Sequence, residues 1–304
     1  MPPPKGTPNP LEGPGDYTTT QTIHSDTYPA ISPSNFNYNG LAVFIIGASK
    51  GLGRSMALSY ASAGASYIAA GARSSLSHLA PLIASAATSA GHPAPQFLPL
   101  TVDVTSRTSV DAAAHAITSQ FGRIDIVVHS AGAILNRSLL ADSDPDTWWD
   151  EMRLHVLAPM LVARAFVPLL LASPRAYLAF VSSVGAWCAS PTLSAYQTGK
   201  AALAKLCMHI DAEYGGKGLT TFCIHPGNVP TDIVGGKEGV SGGVLERVFV
   251  DSEEIAAHTL VWVTSEKRAW VGGRYVNVTW DMDELEARSG EIVERDLLKV
   301  TLAV

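Results

Sequence analysis

An apolar run of strand length, Leu41–Ile46, leads straight into the turn Gly47-Ala48-Ser49-Lys50-Gly51-Leu52-Gly53, and a helical pattern follows over 52–63. Strand, glycine turn and helix in that order constrain the fold strongly. The glycines permit a tight turn and a close backbone approach. The first turn of the helix then presents free N–H groups to an anion. The spacing is G-x-x-x-G-x-G rather than the commoner G-x-G-x-x-G, and the strand–turn–helix context is what gives it meaning.

The same alternation continues along the chain. Strand patterns fall at 41–46, 66–72, 96–101, 124–129, 176–182, 219–225 and 273–279. Helical patterns fall near 52–63, 75–90, 106–121, 146–172, 194–214 and 252–264. The strands are apolar throughout rather than alternating, as parallel strands covered on both faces must be. Right-handed crossovers then give an α/β fold: a doubly wound parallel sheet of Rossmann type, with about seven strands in a single domain. Ligands of such sheets bind beyond the carboxyl ends of the strands. The glycine turn and the motifs below all fall at such ends.

Tyr196 and Lys200 are four residues apart within the helix expected over 194–214, so they share a face. A nearby ammonium favours phenolate and lowers a tyrosine pKa, making the phenol usable as an acid or base. Ser183 lies thirteen residues before Tyr196, at the end of the strand expected over 176–182.

Taken together, these motifs resemble the short-chain dehydrogenase/reductase family from about Leu41 to Asn277. The motifs, in order, are Gly47 to Gly53, Asp103-Val104, Ser130-Ala131-Gly132, Ser183, Tyr196 with Lys200, and Pro226-Gly227 with Thr231. The tail from Arg274 onward is similar to that of filamentous-fungal members. The resemblance implies a catalytic set of Ser183, Tyr196 and Lys200. It also implies a nicotinamide cofactor held by Gly47, Ser49, Lys50, Gly51, Leu52, Gly53, Asp103, Val104, Ser130, Ala131, Gly132, Tyr196, Lys200, Pro226, Gly227, Val229 and Thr231. Within it, Asp103 contacts adenine, Lys200 bonds the nicotinamide ribose, and Thr231 reaches the carboxamide or a phosphate.

Arg73 ends the second strand, where NAD-preferring members carry an acid for the ribose hydroxyls. An arginine there suits a 2′-phosphate. Lys50 adds a second positive charge, Ser74 a hydroxyl, and no acid occurs from Gly71 to Ala80. The expected cofactor is therefore NADP(H).

Two positions depart from the family pattern. His155 stands where the family has a catalytic asparagine that helps hold a water on the proton path to the lysine. Histidine can bridge a water as well, and it would titrate near physiological pH. Ser130 replaces the asparagine of the usual Asn-Ala-Gly and cannot make the same pair of amide contacts. Trp148, Trp149, Trp187 and Phe249 are expected to flank the cleft, which would suit a bulky apolar substrate.

The expected function is NADPH-dependent reduction of a ketone or other carbonyl, or the reverse oxidation of a secondary alcohol. The substrate would be a bulky hydrophobic compound of secondary-metabolite type. The competing expectation is a cofactor-binding protein with a non-redox role as cyclase, scaffold or sensor, motivated by His155 and Ser130.

Composition bounds the remaining possibilities. The 304 residues carry a net charge of −6 with no basic cluster, which argues against nucleic acid. Cys188, Cys207 and Cys223 lack metal-ligand spacing, the nine histidines form no ligand pattern, and reduced thiols with no metal are expected. No uninterrupted apolar stretch nears the ~18 residues of a membrane helix, and the Pro-rich N-terminus has no apolar leader, so a cytoplasmic protein is expected. The expected divisions are an N-terminal arm over 1–39 that clings to the surface from Tyr28 or embraces another subunit, a domain over 40–280 and a tail over 281–304. A glycine-rich flap is expected over 233–248, able to close over a ligand. Apolar faces on helices 146–172 and 194–214 suggest a homodimer or homotetramer.

Overall fold

The computed structural model describes residues 9–302. Seven parallel strands form one sheet in the order β3-β2-β1-β4-β5-β6-β7. They are β1 Ala42–Ile46, β2 Tyr67–Ala72, β3 Gln96–Thr101, β4 Ile126–His129, β5 Tyr177–Val181, β6 Thr220–His225 and β7 Tyr275–Asn277. Every residue of β1, β4, β5 and β6 is buried, as the unbroken apolar runs require. Edge strand β3 is the exception. None of its residues is fully buried, and it tolerates Pro99, whose missing N–H would break a central ladder.

The helices are α1 Gly51–Ser62, α2 Leu79–Ser89, α3 Arg107–Phe121, α4 Pro145–Met152, α5 Ala158–Leu170, α6 Ser194–Tyr214, α7 Gly236–Gly239, α8 Gly243–Val248, α9 Glu253–Thr264, α10 Met282–Ala287 and α11 Ser289–Glu294. Their ends follow local chemistry. Ser106, Asp144, Ser252 and Asp281 cap α3, α4, α9 and α10 by accepting from a backbone N–H three residues on. Gly122, at φ +70°, closes α3 in the left-handed conformation.

Helices α4 and α5 are joined by a single π turn, Arg153–Leu157, which contains His155. Pro159 explains it. Residue 159 should donate to the carbonyl of 155 but has no N–H, and Ala158 donates instead to Arg153, five residues back. The combined stretch Pro145–Leu170 is, among the described residues, the one helix long and apolar enough to cross a membrane, with a window mean hydropathy of 1.5. Half of that window is buried, with Leu161, Val162, Phe166 and Leu170 in the core.

Residues 9–39 lie along the body of their own chain, and residues 1–8 fall outside the described residues. Ile31 and Tyr38 are fully buried, and Tyr38 donates to the Val261 carbonyl of α9 at 2.5 Å. Ile23 bridges Trp280, and His24 pairs with Asp281 at 2.9 Å. The segment expected as a flap carries α7 and α8 despite its glycines.

Candidate active site

The carboxyl ends of the strands open into one cleft of about 930 Å³. All the residues expected to bind the cofactor line it, and so do Ser183, Tyr196 and Lys200. His155 does not line it. It lies behind the wall, 1% exposed.

At the end that holds the glycine turn, a built Cβ shows why glycine is required. Gly47 has φ +87°, and a Cβ there would stand 2.7 Å from the Ala131 nitrogen. A Cβ on Gly53 would stand 2.3 Å from the Gly47 carbonyl oxygen. The turn therefore folds flat against both the helix start and the loop after β4. Lys50 precedes α1 without capping it by its side chain, which leaves the first N–H groups free for a pyrophosphate. The glycine cradle and this helix start fit a dinucleotide.

The surroundings hold residues with no sequence signal. His78 bonds the Ser49 carbonyl at 3.0 Å and ties the loop after β2 to the glycine turn. Glu253 and Asp232 also line the cleft. Lys50 Nζ donates to Asp232 at 2.6 Å. Asp232, 182 residues away in the chain, thus pairs with Lys50 at the exposed edge of the cleft. Arg73 remains exposed, and Asp103 spends Oδ1 on the backbone and hydroxyl of Thr105 at 2.9 and 2.7 Å.

Ser183, Tyr196 and Lys200 converge at the other end. Ser183 lies two residues beyond β5 and accepts from the Gly185 N–H at 3.0 Å. A Cβ built on Gly185 would lie 3.2 Å from Ser183 Oγ and 3.3 Å from Tyr196 Cε1, so a larger residue would wedge the pair apart. Lys200 is buried, donates to the Val181 carbonyl at 2.8 Å, and has Nζ 5.6 Å from the centre of the Tyr196 ring.

Burial raises the Tyr196 pKa, and the Ser183 hydroxyl opposes that rise. Lys200 is not among the groups that set it, and its own pKa falls to about 8 through burial. Burial is thus the dominant influence on the phenol. Desolvation outweighs an ammonium that points at a carbonyl rather than at the phenol oxygen.

His155 packs edge-on against Tyr196, with ring centres 5.2 Å apart, and its Nε2 lies 2.7 Å from the Ala133 carbonyl. Gly199 makes room for it, since a Cβ there would stand 2.6 Å from His155 Cβ. Burial first, then the Lys200 charge, lowers its pKa to about 3. The ring is neutral at physiological pH, which corrects the expectation of a titrating group. Because the carbonyl takes the Nε2 proton, Nδ1 is left as an acceptor.

His129 and His225 are also buried and also pushed down to about 3. A pH dependence follows. In the carbonyl-reducing direction kcat/KM should be flat from pH 5.5 to 7 and fall as pH rises through about 8, where Lys200 loses its charge. An inflection near 6 in initial rates would show that a histidine titrates after all.

Of the four aromatics expected around the cleft, only Phe249 lines it. Trp187 turns away to pack edge-on against Tyr275, 5.3 Å between centres. Trp148 is fixed by its Nε1–H to Ser194 at 3.1 Å, and Trp149 is 61% exposed. The apolar lining is instead mainly aliphatic, with Leu154, Val184, Leu193, Val240 and Leu245.

The cleft mouth is held from both sides. Arg137 donates to the Ile233 carbonyl at 2.9 Å opposite the Lys50–Asp232 pair. Glu151, fully buried on α4, accepts from the Leu135 and Asn136 N–H groups at 3.1 and 2.8 Å and shapes the loop that carries Arg137. None of these three pairings has a local sequence signature.

Known proteins agree with this architecture. The family model described as short chain dehydrogenase matches residues 41–239. The short chain dehydrogenase pigC of Monascus ruber is 55% identical over 300 residues, 99% of each chain. The short chain dehydrogenase tazN of Aspergillus terreus is 49% identical over 96% of this chain, which spans 63% of that longer protein. Among solved structures, a short chain dehydrogenase from Salmonella enterica superposes with a TM-score of 0.71 at 25% identity, covering 83% of this chain and 99% of the other. Carveol dehydrogenase from Mycobacterium avium, in complex with NAD, gives 0.71 at 21% identity over 80% and 97%. A seven-stranded parallel sheet, the glycine cradle at its carboxyl edge and full-length identity above one half lead to one conclusion: this chain belongs to the short-chain dehydrogenase family.

Proposed function

We propose that this chain is an NADPH-dependent ketoreductase, reducing a ketone or other carbonyl on a bulky hydrophobic substrate of secondary-metabolite type, with the reverse alcohol oxidation available to the same groups. The observation that carries this reading is the convergence of Ser183, Tyr196 and Lys200 on the cleft that also contains the glycine cradle. A bound reduced nicotinamide supplies the hydride. Tyr196, kept protonated by burial, donates its phenolic proton to the carbonyl oxygen. Ser183 holds that oxygen by a hydrogen bond as negative charge develops. Lys200 would hold the nicotinamide ribose, with its ammonium 5.6 Å from the centre of the Tyr196 ring. The neutral His155 sits behind Tyr196 with Nδ1 free to accept from a water.

The aliphatic lining supports an apolar substrate. The test is NADPH consumption against a panel of bulky ketones and quinones, with NADH in parallel. Stoichiometric oxidation with product formation is expected. Tight NADPH binding with no consumption on any compound would count against redox function.

Cofactor preference should reside in Arg73. Arg73→Glu should reduce the NADPH-over-NADH ratio of kcat/KM roughly 100-fold, because a charge-assisted contact is lost and a repulsion is introduced. An unchanged ratio would mean that Arg73 is only a solvated loop residue.

A further inference from the structure

The segment before the sheet does more than lie on the surface. Leu11, thirty residues ahead of β1, lines the cleft. Its neighbours run along the loop after β5, which carries Ser183. Gly13 is buried so close to Val184 that a Cβ on it would stand 2.7 Å from Val184 Cγ2. The Cys188 thiol lies 3.7 Å from the Glu12 carbonyl.

The strap is also anchored by specific polar contacts. Asp16 accepts from the Gly13 N–H at 2.6 Å, closing the turn that presents Leu11. Its other oxygen accepts from Asn277, the last residue of β7, at 3.0 Å. Further along, Arg288 donates to the Thr19 carbonyl, and Glu284 accepts from the Gln21 N–H and the Thr22 hydroxyl, both at 2.6 Å.

We infer that residues 9–16 form a wall of the substrate end of the cleft in cis, with Leu11 as a specificity-determining side chain that contacts the apolar body of the carbonyl substrate. This rests on the ketoreductase reading of the cleft. Asp16 is a positioning residue: it touches no substrate and acts by holding the Gly13 turn against Asn277. A side chain carried by a tethered strap suits a bulky substrate, because the wall is set by a segment separate from the catalytic loops. Small ketones, held near Ser183 and Tyr196, would not reach it.

The test uses the full chain with Leu11→Ala, Leu11→Trp and Asp16→Asn. It compares small and polycyclic ketones at saturating NADPH, and measures quinone binding to the NADP⁺-loaded protein by calorimetry. Leu11→Ala should raise KM for polycyclic ketones roughly 10-fold, the scale for losing apolar contact in a pocket, with kcat unchanged. Leu11→Trp should alter polycyclic KM while small ketones and NADPH affinity stay as in wild type. Asp16→Asn, which still offers an oxygen acceptor to the Gly13 N–H, should shift polycyclic KM less than Leu11→Ala and leave kcat alone.

Turnover with identical KM profiles in all variants would overturn the strap assignment and leave the ketoreductase reading standing. Quinone binding that weakens in Leu11→Ala, in a protein that never consumes NADPH, would do the reverse. A wild type that binds none of the polycyclic compounds would overturn the strap assignment.

Discussion

Tyr196→Phe should lower kcat about 10³-fold while NADPH affinity stays within about twofold of wild type, since a positioned proton donor contributes roughly 10²–10⁴-fold. The substitution removes one oxygen and little else. The ring that packs edge-on against His155 is retained, and so is the backbone of α6 that carries Lys200. Its only chemical loss is the proton donor. The raised phenol pKa sharpens the expectation: near neutral pH the group is protonated, which suits carbonyl reduction, whereas alcohol oxidation needs the phenolate and should improve as pH rises. Initial-rate kinetics in both directions, with a separate fluorescence titration of NADPH, would check it. Loss of activity of less than tenfold would show that the proton comes from elsewhere, with the Ser183 hydroxyl the nearest candidate.

Gly53→Ala should abolish useful cofactor binding and lower the melting temperature by about 5 °C. The added methyl meets the Gly47 carbonyl oxygen at 2.3 Å, and that partner is backbone, unable to swing aside as a side chain would. Relief requires the turn to open away from the start of α1. The opening displaces the N–H groups that would face a pyrophosphate, and NADPH affinity should fall roughly 100-fold. Overpacking of this kind costs about 1–3 kcal/mol, which in a large domain is a shift of a few degrees per kcal/mol. Gly290→Ala is the control. It lies in helix α11 with nothing within 4 Å of a built Cβ, so it should leave NADPH affinity unchanged and not lower the melting temperature. Calorimetry on the three proteins separates the outcomes. Wild-type NADPH affinity in Gly53→Ala would mean that the turn yields without disturbing the cradle.

Several features were legible because they are local. The helix expected over 194–214 is α6, Ser194–Tyr214, and the seven expected strands each contain the observed one. Apolar continuity over five or six residues is enough to demand burial on both faces, whatever the partners are. The glycines at 47 and 53 are likewise explained by a turn only a few residues long.

Other features depend on segments far apart in the chain. Lys50 reads as a free cation in sequence, and Asp232 claims it in space. His155 reads as a group that titrates near neutrality. Burial against Tyr196 and Gly199, together with the Lys200 charge, lowers its pKa to about 3. Trp187 reads as a cleft aromatic, and Tyr275 of β7 draws it away. Leu11 reads as part of a detached arm, yet contacts with Val184 and Asn277 bring its segment to the cleft.

The amino-acid sequence by itself therefore determined the sheet, its parallel order of strand and helix, the glycine cradle and the family, because backbone geometry and burial periodicity act within a few turns of chain. Only the tertiary structure decided which charges are paired, which titratable groups are neutral and which side chains line the substrate end. Coulomb pairing and desolvation depend on distance and burial in space, and Leu11 and the 232–249 segment reach the cleft from distant parts of the sequence.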